Sequence, residues 1–198
     1  MNEVSTKIDQ VTKLGIAAYM KQNGFKKKGR GWQKETPNGW LLVHIKASNY
    51  NTVELVQFAV SLGIYNTEIE SIAQRHFYKE NQVPRASGST LFCQLNHLGD
   101  DRFDWDEILP DTDLHKIANE IVEQMISDGM PWLLENDNVA SISSKINQEL
   151  IGRGAIAAAI VSGDREEARR RFRKTIECRP HSADATKKWA IAQELDLF

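Results

Sequence analysis

Between Val56 and Ile64 every second residue is a large apolar one, Val56, Phe58, Val60, Leu62 and Ile64, separated by Gln57, Ala59, Ser61 and Gly63. A period of two marks a strand with one face against a core. Two strands are predicted before it, Phe25 to Lys34 and Trp40 to Ala47, joined through Thr36-Pro37-Asn38-Gly39, where Pro presets φ and Asn-Gly accepts a reversal. A fourth is predicted after it, Thr90 to Leu98, in which Leu91, Cys93 and Leu95 share one side.

Helical spacing fills the intervals. Val4, Ile8, Val11, Leu14, Ala18 and Tyr19 place one helix over Val4 to Gln22, stopped by Asn23-Gly24. Ile69, Ile72, Ala73 and Phe77 place another, capped by Asn66 or Thr67 and broken by Pro84 to Gly88. The stripe Leu114, Ile117, Ala118, Ile121, Val122, Met125 and Ile126 is the clearest helix, closed by Asp128-Gly129, with a short helix restarting at Met130-Pro131. Beyond Ser141 the composition shifts to helix formers in four segments: to about Leu150, Gly154 to Val161, Arg165 to Cys178, and Ser182 to Leu195.

Strands this close in sequence imply an α+β fold: a four-stranded antiparallel meander sheet packed with helices, followed by an all-helical C-terminal extension. The Asn/Asp cluster near Asn136 to Val139 sets the expected division, a sheet domain over 1–137 and a helical extension of three to four short helices over 138–198.

Composition narrows the function classes. A chain of 198 residues, 41% hydrophobic and 26% charged, buries a core without needing metal or disulfide staples. The formal net charge of -2 supplies no global field for nucleic acid or membrane, so such binding must rest on a local patch. Only Cys93 and Cys178 are present, outside any CxxC spacing, and there is no apolar leader or spanning run. A cytoplasmic protein with reduced thiols and no membrane association is expected.

Two local patches qualify. Lys26, Lys28, Arg30, Trp32 and Lys34 would share one face of a regular strand, joining cations to an aromatic as phosphate contact and base stacking require, although lysines on an edge strand also serve to block aggregation. Arg165, Arg169, Arg170 and Arg173, with Arg171 and Lys174, make a basic helix. There Glu166 before Arg170 and Glu167 before Arg171 also give the spacing of a self-stabilised surface helix.

Catalytic chemistry finds less support. His97 and the run Asp100, Asp101, Asp104, Asp106, Glu107 hold metal-ligand residue types without calcium-loop order, so a solvated acidic loop is the simpler reading. Cys93 and His97, four positions apart in one strand, stand roughly 13 Å apart and make no nucleophile–base pair. Cys178 has Arg179 and His181 nearby but no defined pocket, and His44, His76 and His115 are scattered without ligand spacing. No P-loop, nucleophile elbow or dinucleotide fingerprint occurs, so neither catalytic nor metal residues nor a cofactor are assigned.

Gly24-Phe25-Lys26-Lys27-Lys28-Gly29, Trp32, the Phe58-to-Ile64 strand, Leu95-Asn96-His97-Leu98-Gly99, Asp101-to-Trp105 and Gly129-Met130-Pro131-Trp132-Leu133 follow one another in an order that resembles the bacterial family called domain of unknown function 4304, over about residues 1–136. The resemblance implies helices against a four-stranded antiparallel sheet and a bacterial setting; it has no activity or site residues to lend. Gly163-Asp164, Ala168, Phe172 and Pro180 resemble the second helix of a tetratricopeptide repeat, read here as a single helical hairpin.

The expected function is therefore a non-enzymatic protein-binding or accessory module, in the manner of bland bacterial domains that antagonise toxins. Two alternatives stand beside it: a nucleic-acid binder through Lys26–Lys34 and Arg165–Lys174, and a metal-assisted hydrolase at His97 and the Asp100–Glu107 loop.

Overall fold

The computed structural model describes residues 3–74, 84, 86–98, 104–146 and 152–195. Glu3–Leu14 (α1) and Ile16–Gln22 (α2) replace the single helix expected. The break falls at Gly15, where a Cβ would come within 2.5 Å of the Ala118 carbonyl oxygen, so a glycine is what lets the chain lie against the neighbouring helix.

Among the described residues the sheet is antiparallel throughout and has six strands instead of four. Lys26–Lys28 (β1) and Gly31–Thr36 (β2) are two strands of a tight hairpin turning on Gly29 and Arg30, with Gly29 at φ 62°. Gly39–Ala47 (β3) follows across Pro37-Asn38, and Val56–Asn66 (β4) pairs with all of β3 through Phe58 to Asn66. Leu91–Gln94 (β5) is shorter than expected, giving way to a 3-10 turn at Leu95–His97. Asp106–Ile108 (β6) turns part of the expected acidic loop into strand.

Val56, Phe58, Val60, Leu62 and Ile64 are all buried in one apolar core with Ile8, Val11 and Ile16, but Ala59, Ser61 and Gly63 between them are buried too, so β4 is covered on both faces and is not the half-buried strand its alternation predicted. Thr67–Ala73 (α3) is capped by the Asn66 side chain, which accepts from the Ile69 amide at 3.0 Å. Leu114–Gln124 (α4) is capped by Asp113. It does not stop at Asp128-Gly129 but widens into a π-helical turn, Met125–Gly129, and runs on as Met130–Glu135 (α5). Pro131 has no amide hydrogen to give the preceding turn, and a wider turn accommodates it.

Val139–Ile146 (α6), Arg153–Val161 (α7), Arg165–Cys178 (α8) and Ala183–Ala192 (α9) make up the helical part. Ile142, Ile146, Ala155, Ala157 and Ala158 enter the sheet's own core, so that core crosses the composition change near Asn136–Val139. Ile156, Ala159, Ala168, Phe172, Trp189 and Ala190 build a second, smaller cluster, and Trp189 Nε1 donates to the Ile72 carbonyl at 2.9 Å, tying α9 to α3.

Candidate functional site

The hairpin at Gly29 reorganises the first basic patch. Its register sets Lys27 opposite Trp32 and Lys26 opposite Gln33, so Lys26 and Lys28 face away from Trp32 and Lys34. Trp32 is 3% exposed and belongs to the core, with Lys27 Nζ 5.8 Å from its ring centroid; Lys34 Nζ stands 5.8 Å from the Phe25 ring. Arg30, in the turn, donates from Nε to Asp9 Oδ1 at 2.7 Å and to Ser5 on α1. The single face expected for these residues therefore does not form, because a two-residue turn resets the alternation.

On α8, Arg170 and Arg171 both bond Glu167, holding its carboxyl down to about 2, through the Arg170 hydrogen bond first. Arg171 is 5% exposed and reaches inward to the carbonyls of Ala155 and Ser143, at 2.7 and 2.9 Å. Arg165, Arg173 and Lys174 are exposed and Arg169 is half-buried.

The acidic segment is more organised than its composition suggested. Gln94 pairs with Ser61 and Asp106 with Phe58, both on the β4 edge away from β3. Between these two pairings β4 has only Ala59 and Val60. Leu95, just after β5, is held against the α4 end: its carbonyl accepts from Gln124 Nε2 at 3.3 Å, and Gly129 of the π turn lies against its side chain. Gln94 Oε1 accepts from the Asp104 amide at 3.3 Å.

Asp106 shares the core-side face of the sheet end with Phe58. Burial, then the charges of Asp104 and of Glu120 on α4, push its carboxyl up to about 6, with His97 opposing them. Glu107 turns the other way and accepts from Gln57 Nε2 at 2.9 Å, and Lys46 Nζ stands 5.7 Å from the Trp105 ring. Asp104 is exposed, while Asp100 and Asp101 lie outside the described residues. Gln94 Nε2, Asn96 Oδ1 and His97 Nε2 are buried atoms without a hydrogen-bond partner. Among the described residues no group of three or more His, Cys, Asp or Glu is placed to hold a metal ion.

Cys93 sits opposite Leu62 on the core side, and burial pushes its thiol far up, so it stays protonated. The reason first given for separating it from His97 needs correction, since β5 ends at Gln94 and the two do not share a strand. Cys178 and His115 are exposed, His44 is half-buried, and His76 lies outside the described residues.

A separate cleft of about 530 Å³ opens where the sheet meets the helical part. It is lined by Pro37 and Asn38 of the β2–β3 turn, Asn66, Thr67, Glu68, Ser71 and Ile72 around α3, and Val139 of α6. Asn38 Nδ2 donates to the Asp137 carbonyl at 2.7 Å and Thr36 Oγ1 to its carboxylate at 3.3 Å, fastening the hairpin to the α5–α6 connection beside the cleft. Sequence reading missed this site because its walls come from three distant segments.

The family model described as "Domain of unknown function (DUF4304)" matches residues 16–135. The chain belongs to that family. The matched segment holds all the described strands of the sheet and the π turn, whereas Ile142, Ile146 and Ala155 of the core lie beyond it. No curated protein and no solved structure matches the chain. Among the described residues no helix is long and apolar enough to cross a membrane.

Proposed function

We propose that this chain is a non-enzymatic protein-binding module acting as an accessory, of the toxin-antagonist type, in the bacterial cytoplasm. The observation that carries the reading is the cleft at the seam. Its volume lies within the range that receives a ligand or a few partner side chains, roughly 300–1,000 Å³. Apolar Pro37, Ile72 and Val139 stand beside polar Asn38, Thr67, Glu68 and Ser71, the mixture in which apolar contact gives affinity and a few polar groups give orientation.

The nucleic-acid alternative is the weaker reading. Trp32 is committed to the core and Arg171 to the helix junction, which removes the stacking residue and one cation from the patches. Lys26, Lys27, Lys28, Arg165, Arg173 and Lys174 keep their exposure for such binding.

Affinity capture of the tagged protein from a bacterial lysate, at low and moderate salt and after nuclease, tests the proposal. A single protein retained through both treatments supports it. Nucleic acid released as salt rises favours the alternative instead, and robust turnover by the purified protein overturns the non-enzymatic reading.

A further inference from the structure

The polar atoms that line a cleft limit what it receives, because those already bonded within the chain have little left to offer a ligand. In the cleft at the seam, Asn66 forms the floor. It is 2% exposed, while Pro37, Asn38, Thr67, Glu68 and Ser71 around it are exposed and Ile72 and Val139 are half-buried. Asn66 Oδ1 is taken by the Ile69 amide at 3.0 Å, and Nδ2 has no hydrogen-bond partner among the described residues. Nδ2 is not sealed from solvent either, and the cleft is the space that Asn66 lines, so a donor stands free at its floor.

The charge of the cleft has one sign. Glu68 lines it, and among the described residues no ion pair engages Glu68 and no basic side chain lines the cleft. Asp137 adds a second carboxylate beside it, with Oδ1 accepting from Thr36. An anion is a poor fit, since both carboxylates repel it and the helix starts nearby have spent their amides: Thr67 on the Asn38 carbonyl, Ile69 on Asn66 and Ser141 on Asn138. Pro37, Ile72 and Val139 supply apolar wall between the acid at the rim and the amide at the floor.

We propose that the cleft binds an arginine-bearing extended segment of a partner protein. The guanidinium pairs with the Glu68 carboxylate, for which its planar fork of N–H donors is suited. The methylene stem lies along Ile72, Val139 and Pro37, as such stems do on apolar surface. A backbone carbonyl of the segment accepts from Asn66 Nδ2, so that charge and main chain are read together. This inference rests on reading the cleft as a protein-binding site and adds the chemistry of the partner.

The test is an amide-detected NMR titration of the purified protein with the blocked tripeptide acetyl-Ala-Arg-Ala-amide and with its citrulline counterpart, which keeps the shape and loses the charge. The arginine peptide is expected to move the amide signals of Asn66 to Ile72 and of Val139 saturably, and the citrulline peptide to bind roughly tenfold more weakly, as loss of a charged hydrogen bond implies. Glu68→Gln, at an exposed position, abolishes that preference. Glu123→Gln, an equal loss of charge at an exposed position of α4 outside the cleft, keeps it. Absence of a saturable shift at those amides, equal binding of the two peptides, or a preference that survives Glu68→Gln overturns the proposal. If the arginine peptide saturates the cleft while capture from lysate retains no protein, the accessory-module reading fails and the arginine site is retained; a captured partner without peptide saturation overturns the arginine site alone.

Discussion

Gly129 lies directly against Leu95: a Cβ on Gly129 would stand 2.7 Å from Leu95 Cδ1 and 2.8 Å from Met125 Sδ. The π turn carrying Gly129 therefore seats the 3-10 turn that follows β5, and the contact joins two stretches 34 positions apart in sequence. Gly129→Ala forces both side chains aside and is expected to cost about 1–3 kcal/mol. Chemical denaturation of the purified variant measures it, and a variant as stable as the parent would mean the seat has slack.

Arg171 joins three helices through the Ala155 and Ser143 carbonyls and Glu167, whereas neighbouring Arg170 meets Glu167 from solvent. Arg171→Ala removes the buried guanidinium that ties the three helices together, together with its bonds to Glu167 and two carbonyls, and is expected to cost about 2–4 kcal/mol. Arg170→Ala should leave the melting temperature nearly unchanged, because an exposed pair is screened by water. Thermal melts of both variants at moderate salt decide whether the arginines of α8 play these different parts.

Asp106 gives a pH dependence of definite sign. Its carboxyl is raised from 3.8 to about 6, so the folded state holds the proton more tightly than the unfolded state does. Its contribution is fully present below pH 3.8 and is lost as pH rises to 6. Relative to Asp106→Asn, the parent should lose on the order of 2 kcal/mol between pH 4 and 7, by the usual 1.36 kcal/mol per pH unit. Denaturation midpoints of the two proteins across that range test it, and parallel curves would refute it.

Trp32 separates a core residue from a base-stacking one. Its 3% exposure predicts that Trp32→Ala costs about 3–5 kcal/mol. Lys26→Ser and Lys28→Ser, on the exposed edge strand, should change stability by less than about 0.5 kcal/mol. Equilibrium unfolding of the three variants provides the comparison, and a near-neutral Trp32→Ala would return Trp32 to the surface.

What local pattern determines, the sequence supplied. The alternation from Val56 to Ile64, the turn at Pro37-Asn38, the Asn66 cap and the α4 stripe each follow from one stretch of chain. The α+β class with a helical C-terminal part follows from them. Periodicity is a one-dimensional record of burial, and it served wherever burial is regular along an element.

Only the tertiary structure decided the remainder. Lys26 to Lys34 looked like one strand face because nothing local distinguishes Gly29-Arg30 as a turn from a strand with a glycine in it; pairing with β2 and the reach of Arg30 to Asp9 settle the matter. The strand at Asp106–Ile108 is too short and polar to announce itself and forms because β4 has an unpaired edge beside it. The cleft between Pro37, Ser71 and Val139 is assembled from segments far apart in sequence. Proximity of that kind is created by the fold's packing, which a period of two or of 3.6 does not encode.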